Sequence, residues 1–308
     1  MNILFAGSPS TSAEILEHLV QNKDLNVSTV LTQPDKRSKR GTEKHETPVS
    51  RVAKKHSINT LKPKTIDKTF VSTELGRSNI DLILVVAYGH ILPKEMLNIP
   101  KIMSMNIHFS LLPKYRGASP IQSAIINGDK KTGISFMKII EKMDAGELIY
   151  KADIKIDNKD TKTMLENKLT SLAISKMDGV LNSLRKNDYK LIEQNENDAS
   201  YCSKIVKEDS LIDFKDTSLD IFNKFRALEE WPGTSFIHNN KVIKIHDMYI
   251  SNSKSEGNPG EIYQIDSSGI KINTIDYIIV ITNLQFPNKK IISSKDAFNS
   301  YLDFFVKK

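Results

Sequence analysis

The sequence has few of the residues that hold small secreted or metal-dependent proteins together. It contains one cysteine, Cys202, in 308 residues, so a disulfide within the chain is excluded. Histidine and cysteine do not cluster at the spacing of a structural zinc site, and no run approaches the roughly 20 apolar residues that cross a bilayer. The opening residues, MNILFAGSP, lack the basic flank and the long apolar core of a signal peptide. We therefore expect a cytoplasmic protein without a metal site or a membrane segment.

Glycine is also scarce where a dinucleotide site needs it. Residues 2–6 have the pattern of a buried strand, and an amphipathic helix is predicted at 12–21, which is how a Rossmann-like unit begins. Gly7, in the turn between them, is followed by Pro9 and by no further glycines of the G-x-G-x-x-G pattern. The sequence therefore predicts a Rossmann-like unit without a bound dinucleotide.

Length and patterning indicate two domains. At 308 residues, 39% hydrophobic and 26% charged, the chain is long for one core and ordinary for a soluble globular protein. Residues 81–87, DLILVVA, form the continuous apolar run that a central parallel strand requires. We expect a Rossmann-like α/β domain with a mostly parallel sheet at 1–188, a polar linker at 189–204 and a C-terminal domain at 205–308.

The C-terminal third has the pattern of a small β-barrel. Roughly five short strand-like runs are separated by turn signals, which is typical of an OB-like barrel. Trp231 comes at the start of this region, and we interpret it as a core anchor in preference to a base-stacking residue.

Positive charge is concentrated in one stretch. The formal net charge is +7, and the excess lies before residue 207, with 31 Lys and Arg against 23 Asp and Glu up to residue 206 and 13 against 14 after it. The basic residues of the stretch are Lys36, Arg37, Lys39, Arg40, Lys44, Arg51, Lys54 and Lys55. Such a density attracts phosphates, but it is about equally typical of a solvated insertion. Charge alone leaves both interpretations open.

A polar pair ends the strand-like run at 102–109. Asn106 and His108 are two residues apart, so strand alternation puts both side chains on one face. His108 can exchange a proton near neutral pH, and the Asn106 amide can donate to a polarised carbonyl oxygen. Asp144 follows another strand-like run and is a candidate to orient the imidazole. An isolated histidine is more often structural, and we interpret His90, which has no such companions, as a loop residue.

The motifs around these residues resemble those of the folate-dependent formyltransferases. The resemblance rests on Asn106-Ile-His108, Ser110-Leu-Leu-Pro113, Arg116-Gly117-Ala118, Pro120-Ile-Gln122 and Asp144-Ala-Gly146. It implies that Asn106, His108 and Asp144 are catalytic and that 10-formyltetrahydrofolate is the formyl donor. The folate pocket that it implies is formed by Ser110, Leu111, Leu112 and Pro113, with backbone groups around Ile91 and Leu92.

The resemblance also implies a nucleic-acid acceptor. The basic stretch is similar to the family segment that closes over the acceptor stem of tRNA, and Arg40-Gly41 match the arginine-glycine pair of that segment. The residues expected to contact tRNA are Lys36, Arg37, Lys39 and Arg40. The expected acceptor is the α-amino group of methionyl initiator tRNA, and the expected oligomeric state is a monomer.

Two alternatives stay open at this point. The same catalytic residues could act on a small amine, such as an amino sugar nucleotide or glycinamide ribonucleotide, which requires neither the basic stretch nor a C-terminal barrel. The chain could also be a nucleic-acid-binding protein whose catalytic residues are vestigial. An assay of formyl transfer separates the second alternative from an enzyme.

Overall fold

The chain, seen in a computed structural model, is described over residues 1–37, 44–76 and 78–306. It divides into two units, each built from separate segments of the chain. The first unit comprises Met1–Gly117, Lys131–Lys155 and Glu166–Cys202. The second unit comprises Ala118–Lys130, Ile156–Leu165 and Ser203–Lys308. The second unit therefore takes two short segments from the first two thirds of the chain.

The strands are numbered in chain order. They are β1 (Asn2–Gly7), β2 (Asn26–Leu31), β3 (Lys36–Arg37), β4 (Lys44–His45), β5 (Asn59–Leu61), β6 (Leu82–Val86), β7 (Met103–His108), β8 (Arg116–Gly117), β9 (Lys131–Lys138), β10 (Leu148–Lys155), β11 (Tyr201–Cys202), β12 (Thr234–His238), β13 (Lys241–Lys254), β14 (Ile262–Asp266), β15 (Gly269–Ile272), β16 (Tyr277–Gln285) and β17 (Ile291–Ser293).

The helices are numbered in the same way. They are α1 (Ser10–Gln21), α2 (Pro48–Lys55), α3 (Lys68–Phe70), α4 (Lys94–Leu97), α5 (Pro120–Ile126), α6 (Lys162–Arg185), α7 (Ser218–Ala227) and α8 (Ser294–Val306). A π-helical turn at Val71–Leu75 continues α3, and 3-10 turns lie at Glu196–Asp198 and Lys207–Ser210. Within the described ranges, no helix has both the length and the apolar character needed to cross a bilayer.

The first unit is built on a seven-stranded sheet with the order β10-β9-β7-β6-β1-β2-β5. The five strands β7, β6, β1, β2 and β5 run parallel to one another. Strand β9 is antiparallel to β7, and β10 is antiparallel to β9. The predicted mostly parallel sheet is therefore confirmed. In this order the carboxyl ends of β1, β6 and β7 lie along one edge of the sheet, which is where α/β proteins of this kind bind ligands.

Apolar periodicity accounts for the elements of the first unit. The run Leu82–Val86 forms β6 in the middle of the sheet, and Ile15, Leu16 and Leu19 form the buried side of α1. Helix α2 begins after Thr47, whose side chain accepts a hydrogen bond from the Ser50 N–H at 3.0 Å and so caps the helix.

The second unit contains an antiparallel sheet with the order β12-β13-β16-β15-β14, and β17 pairs with β16. The prediction of a small C-terminal β-domain built from short strands is confirmed, and these strands form an antiparallel sheet. Its core consists of apolar side chains from alternate strand positions, among them Phe236, Ile243, Ile245, Ile279 and Ile281.

The prediction that Trp231 is a core anchor is wrong. Trp231 is 56% exposed, because it lies in the turn between α7 and β12 and not on a strand of the sheet. Phe236 and Ile221 are buried in the core that this turn borders, so the indole is not needed there. An aromatic residue in a turn gives no periodicity from which its direction can be deduced.

Candidate active site

Strand β7 brings Asn106 and His108 to the edge of the sheet where the parallel strands β1, β6 and β7 end. Asn106 pairs with Val85 of β6 and Met137 of β9, and His108 pairs with Ser135 of β9. Alternation places both side chains on the same face of the sheet, as the sequence predicts. Asn106 is the one half-buried residue in a strand that is otherwise buried, so its amide is the polar group that β7 exposes.

Each nitrogen of the His108 ring faces an oxygen atom, but only Nε2 is within hydrogen-bond distance of its neighbour. Nε2 lies 2.8 Å from the Tyr115 carbonyl oxygen, and Nδ1 lies 3.7 Å from Oδ2 of Asp144. A carbonyl only accepts hydrogen bonds, so Nε2 carries the hydrogen of the neutral ring and Nδ1 has the lone pair. The distance to Asp144 is too long for a hydrogen bond but short enough for strong attraction of an imidazolium.

Burial lowers the pKa of His108 below its ordinary value of 6.5, because a charged ring loses water in the protein interior. The Asp144 carboxylate and the Tyr115 carbonyl act in the opposite direction, since both favour the protonated ring. The ring is therefore neutral at neutral pH and becomes protonated only at lower pH or during a reaction.

Asp144 lies in the loop between β9 and β10, and the structure brings it to His108. Its backbone has a positive φ of +49°, and its Oδ2 accepts a hydrogen bond from the Gly117 N–H at 2.8 Å. Gly117 has a φ of +123°, and a Cβ at this position would clash with the carbonyl oxygen of Cys202. The loop of Asp144 and strand β8, which contains Gly117, are thus joined at the carboxylate.

The loop that follows β7 contains the predicted folate-binding residues. Ser110 and Leu112 are buried, and Ser135 of β9 fixes this loop by donating to the Ser110 carbonyl and accepting from the Leu112 N–H. Leu111 and Pro113 keep partly exposed surface. The loop therefore has a fixed shape and leaves part of the Leu111 and Pro113 side chains accessible to solvent.

Ile91 and Leu92, also predicted to form the folate pocket, follow the neighbouring strand β6. Ile91 is 83% exposed, whereas Leu92 is buried in the core of the first unit. Nearby, the Tyr88 hydroxyl and His90 Nε2 are buried and make no hydrogen bond with any described residue. The two rings meet edge to face with centroids 5.3 Å apart, so the predicted loop residue His90 packs on Tyr88.

The basic stretch is described only in part. Lys36 and Arg37 form β3, which pairs with β4 in a two-stranded hairpin. Lys39 and Arg40, predicted with them to contact tRNA, lie outside the described residues. Among the residues that the structure does describe, no group of three or more His, Cys, Asp and Glu side chains is placed to hold a metal ion.

Two polar residues of the site region, Gln194 and Glu196, are not singled out by the sequence, and both contact Arg116 of the Arg116-Gly117-Ala118 motif. The Arg116 side chain is 0% exposed, and its guanidinium forms a bidentate ion pair with Glu196 at 2.9 and 3.2 Å. Gln194 accepts from Arg116 Nε and donates to the loop of Asp144. Glu196 and Gln194 come from a polar stretch without periodicity, so only pairing in three dimensions shows their role.

Comparison with known proteins identifies the class to which this site belongs. A family model described as formyl transferase matches residues 1–180, and one described as formyl transferase, C-terminal domain, matches residues 204–302. The chain therefore belongs to the formyl transferase family, and the resemblance found in its motifs is confirmed.

The similarity extends over nearly the whole chain. A methionyl-tRNA formyltransferase from Finegoldia magna is 37% identical over 297 residues, covering 96% of each chain. One from Thermotoga maritima is 37% identical over 302 residues, covering 98% of this chain and 96% of that one. A solved structure of an N-formyltransferase from Helicobacter canadensis, in complex with folinic acid and dTDP-3-aminofucose, has a TM-score of 0.69 at 20% identity and covers 92% of this chain and 99% of that chain. At this identity the last comparison shows the fold alone.

Proposed function

We propose that this protein transfers the formyl group of 10-formyltetrahydrofolate to the α-amino group of methionyl initiator tRNA. The main support is the 37% identity to methionyl-tRNA formyltransferases, which includes the C-terminal unit as well as the unit with the site. The product is N-formylmethionyl-tRNA, which is used to initiate translation. Such a reaction belongs in the cytoplasm and needs no metal site.

Asn106 is proposed to stabilise the tetrahedral intermediate. When the amine attacks the formyl carbon, the carbonyl oxygen becomes an oxyanion, and a hydrogen-bond donor aimed at that oxygen lowers the barrier. The Asn106 amide is half-buried on the same face as His108, so it is available to a substrate at this edge of the sheet. No covalent bond to the protein is needed.

His108 is proposed to carry the proton between the two nitrogens of the reaction. Its neutral ring has a lone pair at Nδ1, which can take the proton that the attacking amine loses. Asp144, 3.7 Å away, stabilises the imidazolium that forms. The proton then passes to the departing folate nitrogen, so one C–N bond forms, one breaks and His108 returns to its neutral state.

The folate is proposed to bind where β6 and β7 end. Leu111 and Pro113 keep partly exposed surface after β7, and Ile91 is exposed after β6, which supports an apolar contact with a flat heterocycle. Ser110 and Leu112 are proposed to contribute through the shape of their loop, and Leu92 through its backbone.

The acceptor is proposed to be bound by basic residues and by the C-terminal domain. Lys36, Arg37, Lys39 and Arg40 would neutralise phosphates of the tRNA acceptor stem. We also propose the division into a catalytic domain at 1–188, a linker at 189–204 and a tRNA-binding domain at 205–308, in a monomeric protein.

The test is a comparison of acceptors with a labelled formyl donor. We expect rapid transfer to methionyl initiator tRNA, much slower transfer to methionyl elongator tRNA and none to uncharged initiator tRNA. Transfer to an amino sugar nucleotide, such as dTDP-3-aminofucose, with none to charged tRNA would contradict the proposed acceptor. A protein that binds tRNA but transfers no formyl group to any amine would contradict the enzyme itself.

A further inference from the structure

The segment that follows Ile192 contacts both loops that surround His108. We call residues 194–202 the bracing segment. Its last strand, β11, pairs with β8 directly after Tyr115, and the Ser200 hydroxyl accepts from the Tyr115 N–H at 2.9 Å. Because the Tyr115 carbonyl is the acceptor for His108 Nε2, this end of the bracing segment supports one side of the imidazole.

Gln194, at the other end of the bracing segment, contacts the loop on the opposite side of the imidazole. Its Nε2 donates to the Asp144 carbonyl oxygen at 2.9 Å and to the Gly146 carbonyl oxygen at 2.7 Å. Its Oε1 accepts from Arg116 Nε at 3.0 Å. One amide therefore joins the Asp144 loop to the residue that precedes Gly117.

The chemistry of these three contacts requires an amide. Two carbonyl oxygens need a group with two donors, and a guanidinium N–H needs an acceptor. A glutamine supplies both in one planar group, and only one orientation of that group satisfies all three partners. A glutamate retains the acceptor for Arg116 but places oxygen against both carbonyls.

The backbone of the Asp144 loop has a shape that needs support. Asp144 has a φ of +49°, a backbone conformation that costs free energy for any residue other than glycine. A Cβ at Gly146 would clash with the carbonyl oxygen of Lys138, so the loop also passes close to β9. The direction of the Asp144 carboxylate follows from this backbone, and both Gly117 and His108 depend on that direction.

We propose that Gln194 is a positioning residue for formyl transfer, which holds the Asp144 carboxylate at His108 by clamping the backbone of the Asp144 loop to Arg116. This inference rests on the proposed function. Gln194 touches neither substrate in this account and acts through Asp144. Its removal therefore affects the chemical step and leaves the binding of both substrates intact.

The test uses two substitutions of similar volume. Gln194→Met removes all three hydrogen bonds, and Gln194→Glu keeps the contact with Arg116 but loses both donations to the carbonyls. We expect both to lower kcat by about 10-fold to 100-fold, since small misplacements of catalytic groups have effects of this size. KM for each substrate should stay within about two-fold, because no substrate contact is lost. Wild-type kcat in Gln194→Glu would overturn the proposal.

A double-mutant cycle with Asp144→Asn separates positioning from general loss of structure. If Gln194 acts through the Asp144 carboxylate, adding Gln194→Glu to Asp144→Asn should change kcat by less than about two-fold. A further loss as large as the loss in the wild-type background would overturn the proposal. Thermal unfolding of each variant shows whether it is folded. If Gln194→Met does not fold, Gln194→Glu alone is enough to test the proposal.

The matched control is Asn197→Asp, which adds the same charge three residues further on. Asn197 is exposed, and its backbone N–H, which the substitution keeps, donates to Asn195 Oδ1 at 3.1 Å. Its kcat should equal that of the wild type, and a loss equal to that of Gln194→Glu would assign the effect to charge and overturn the proposal.

Failure of the proposed function and failure of the positioning role give different results. If the wild type does not formylate charged tRNA, the proposed function fails. If the wild type does and the Gln194 variants have the same kcat, only the positioning role fails.

Discussion

Asn106 contrasts with the strand that contains it. Its neighbours along β7 are buried, whereas its own amide is half-buried at the edge where three parallel strands end. A polar side chain at such a position does not contribute to the core, and its amide can instead donate to an oxygen that gains charge in a reaction.

Replacing Asn106 by alanine tests the oxyanion contact. We expect kcat to fall by about 100-fold to 1,000-fold, the usual effect of removing one donor to an oxyanion. Affinity for the folate donor, measured separately by its fluorescence, should stay nearly unchanged because the carbonyl of the bound donor is not yet charged. An unchanged kcat would remove Asn106 from the mechanism.

The protonation of His108 provides a second test at the residue scale. Burial lowers its pKa below 6.5, and the charged group that faces the ring, Asp144, raises it. Proton NMR should therefore show a His108 signal that titrates below pH 6.5, with the ring neutral at pH 7. Asp144→Asn removes the opposing charge, so the titration should move to lower pH still. The His108 signal is assigned by its absence in the variant His108→Asn. A titration midpoint above pH 6.5 in the wild type would contradict the neutral ring.

At the scale of elements, the site depends on two loops and the bracing segment that crosses them. Arg116 is buried under this segment, and Glu196 is its acidic partner. Hydrogen bonds from Arg116, and then from Lys142, lower the pKa of Glu196 to about 2. A carboxylate with a lowered pKa stabilises the folded state at any pH above its ordinary range, and that contribution is lost as the pH falls towards the folded pKa.

Glu196→Gln should therefore unfold at a lower temperature than the wild type at pH 7. The difference should be at its full size above about pH 4.5, the unperturbed value, and should narrow between pH 4.5 and 2 as the wild-type carboxylate becomes protonated. Thermal unfolding at a series of pH values measures this. Glu193→Gln, at a nearby exposed glutamate, is the control and should show no such difference. A gap that stays constant down to pH 3 would contradict the ion pair.

The sequence predicts some elements of the site well and others not at all. Strand alternation is enough to place Asn106 and His108 on one face, because residues two apart in a strand point the same way. The approach of Asp144 to His108 does not follow from spacing, since His108 ends β7 and Asp144 lies in the loop between β9 and β10, and only the motifs predict it. The bracing segment lies within the stretch 189–204 that the sequence predicts to be a linker, because polar residues that pair with distant loops have no periodicity to recognise.

At the scale of the whole molecule, the second unit is built from distant parts of the chain. Arg226 of α7 is buried, and it donates to the carbonyl oxygens of Asp157 and Asp160 at 3.3 and 2.7 Å. It also donates twice to Asn223, at 3.1 and 2.9 Å. Arg226 thus ties the segment Ile156–Leu165 to the C-terminal part of the same unit.

Replacing Arg226 by methionine should lower the free energy of unfolding by about 1 to 3 kcal/mol. The reason is that buried acceptors lose this donor while the volume of the side chain is largely kept. The control is Arg185→Met, whose guanidinium forms an exposed ion pair with Asp24 and should contribute less than about 1 kcal/mol. Denaturant unfolding measures both, and equal effects would contradict the tie within the second unit.

The two sheets follow from the sequence more directly than the short segments that complete the second unit. Apolar runs such as Leu82–Val86 predict the parallel sheet, and short runs with turns predict the antiparallel one. The contribution of α5 and Ile156–Leu165 to the second unit was not predicted, because periodicity shows which face of a helix is buried and not what covers it.

The most direct test of the central claim is the single-turnover rate constant for formyl transfer to methionyl initiator tRNA by His108→Ala, with both substrates saturating. If His108 moves the proton between amine and folate, this rate constant should fall by about 100-fold to 10,000-fold relative to the wild type, as expected for the loss of a general acid–base catalyst. A variant that transfers the formyl group at the wild-type rate would contradict the account.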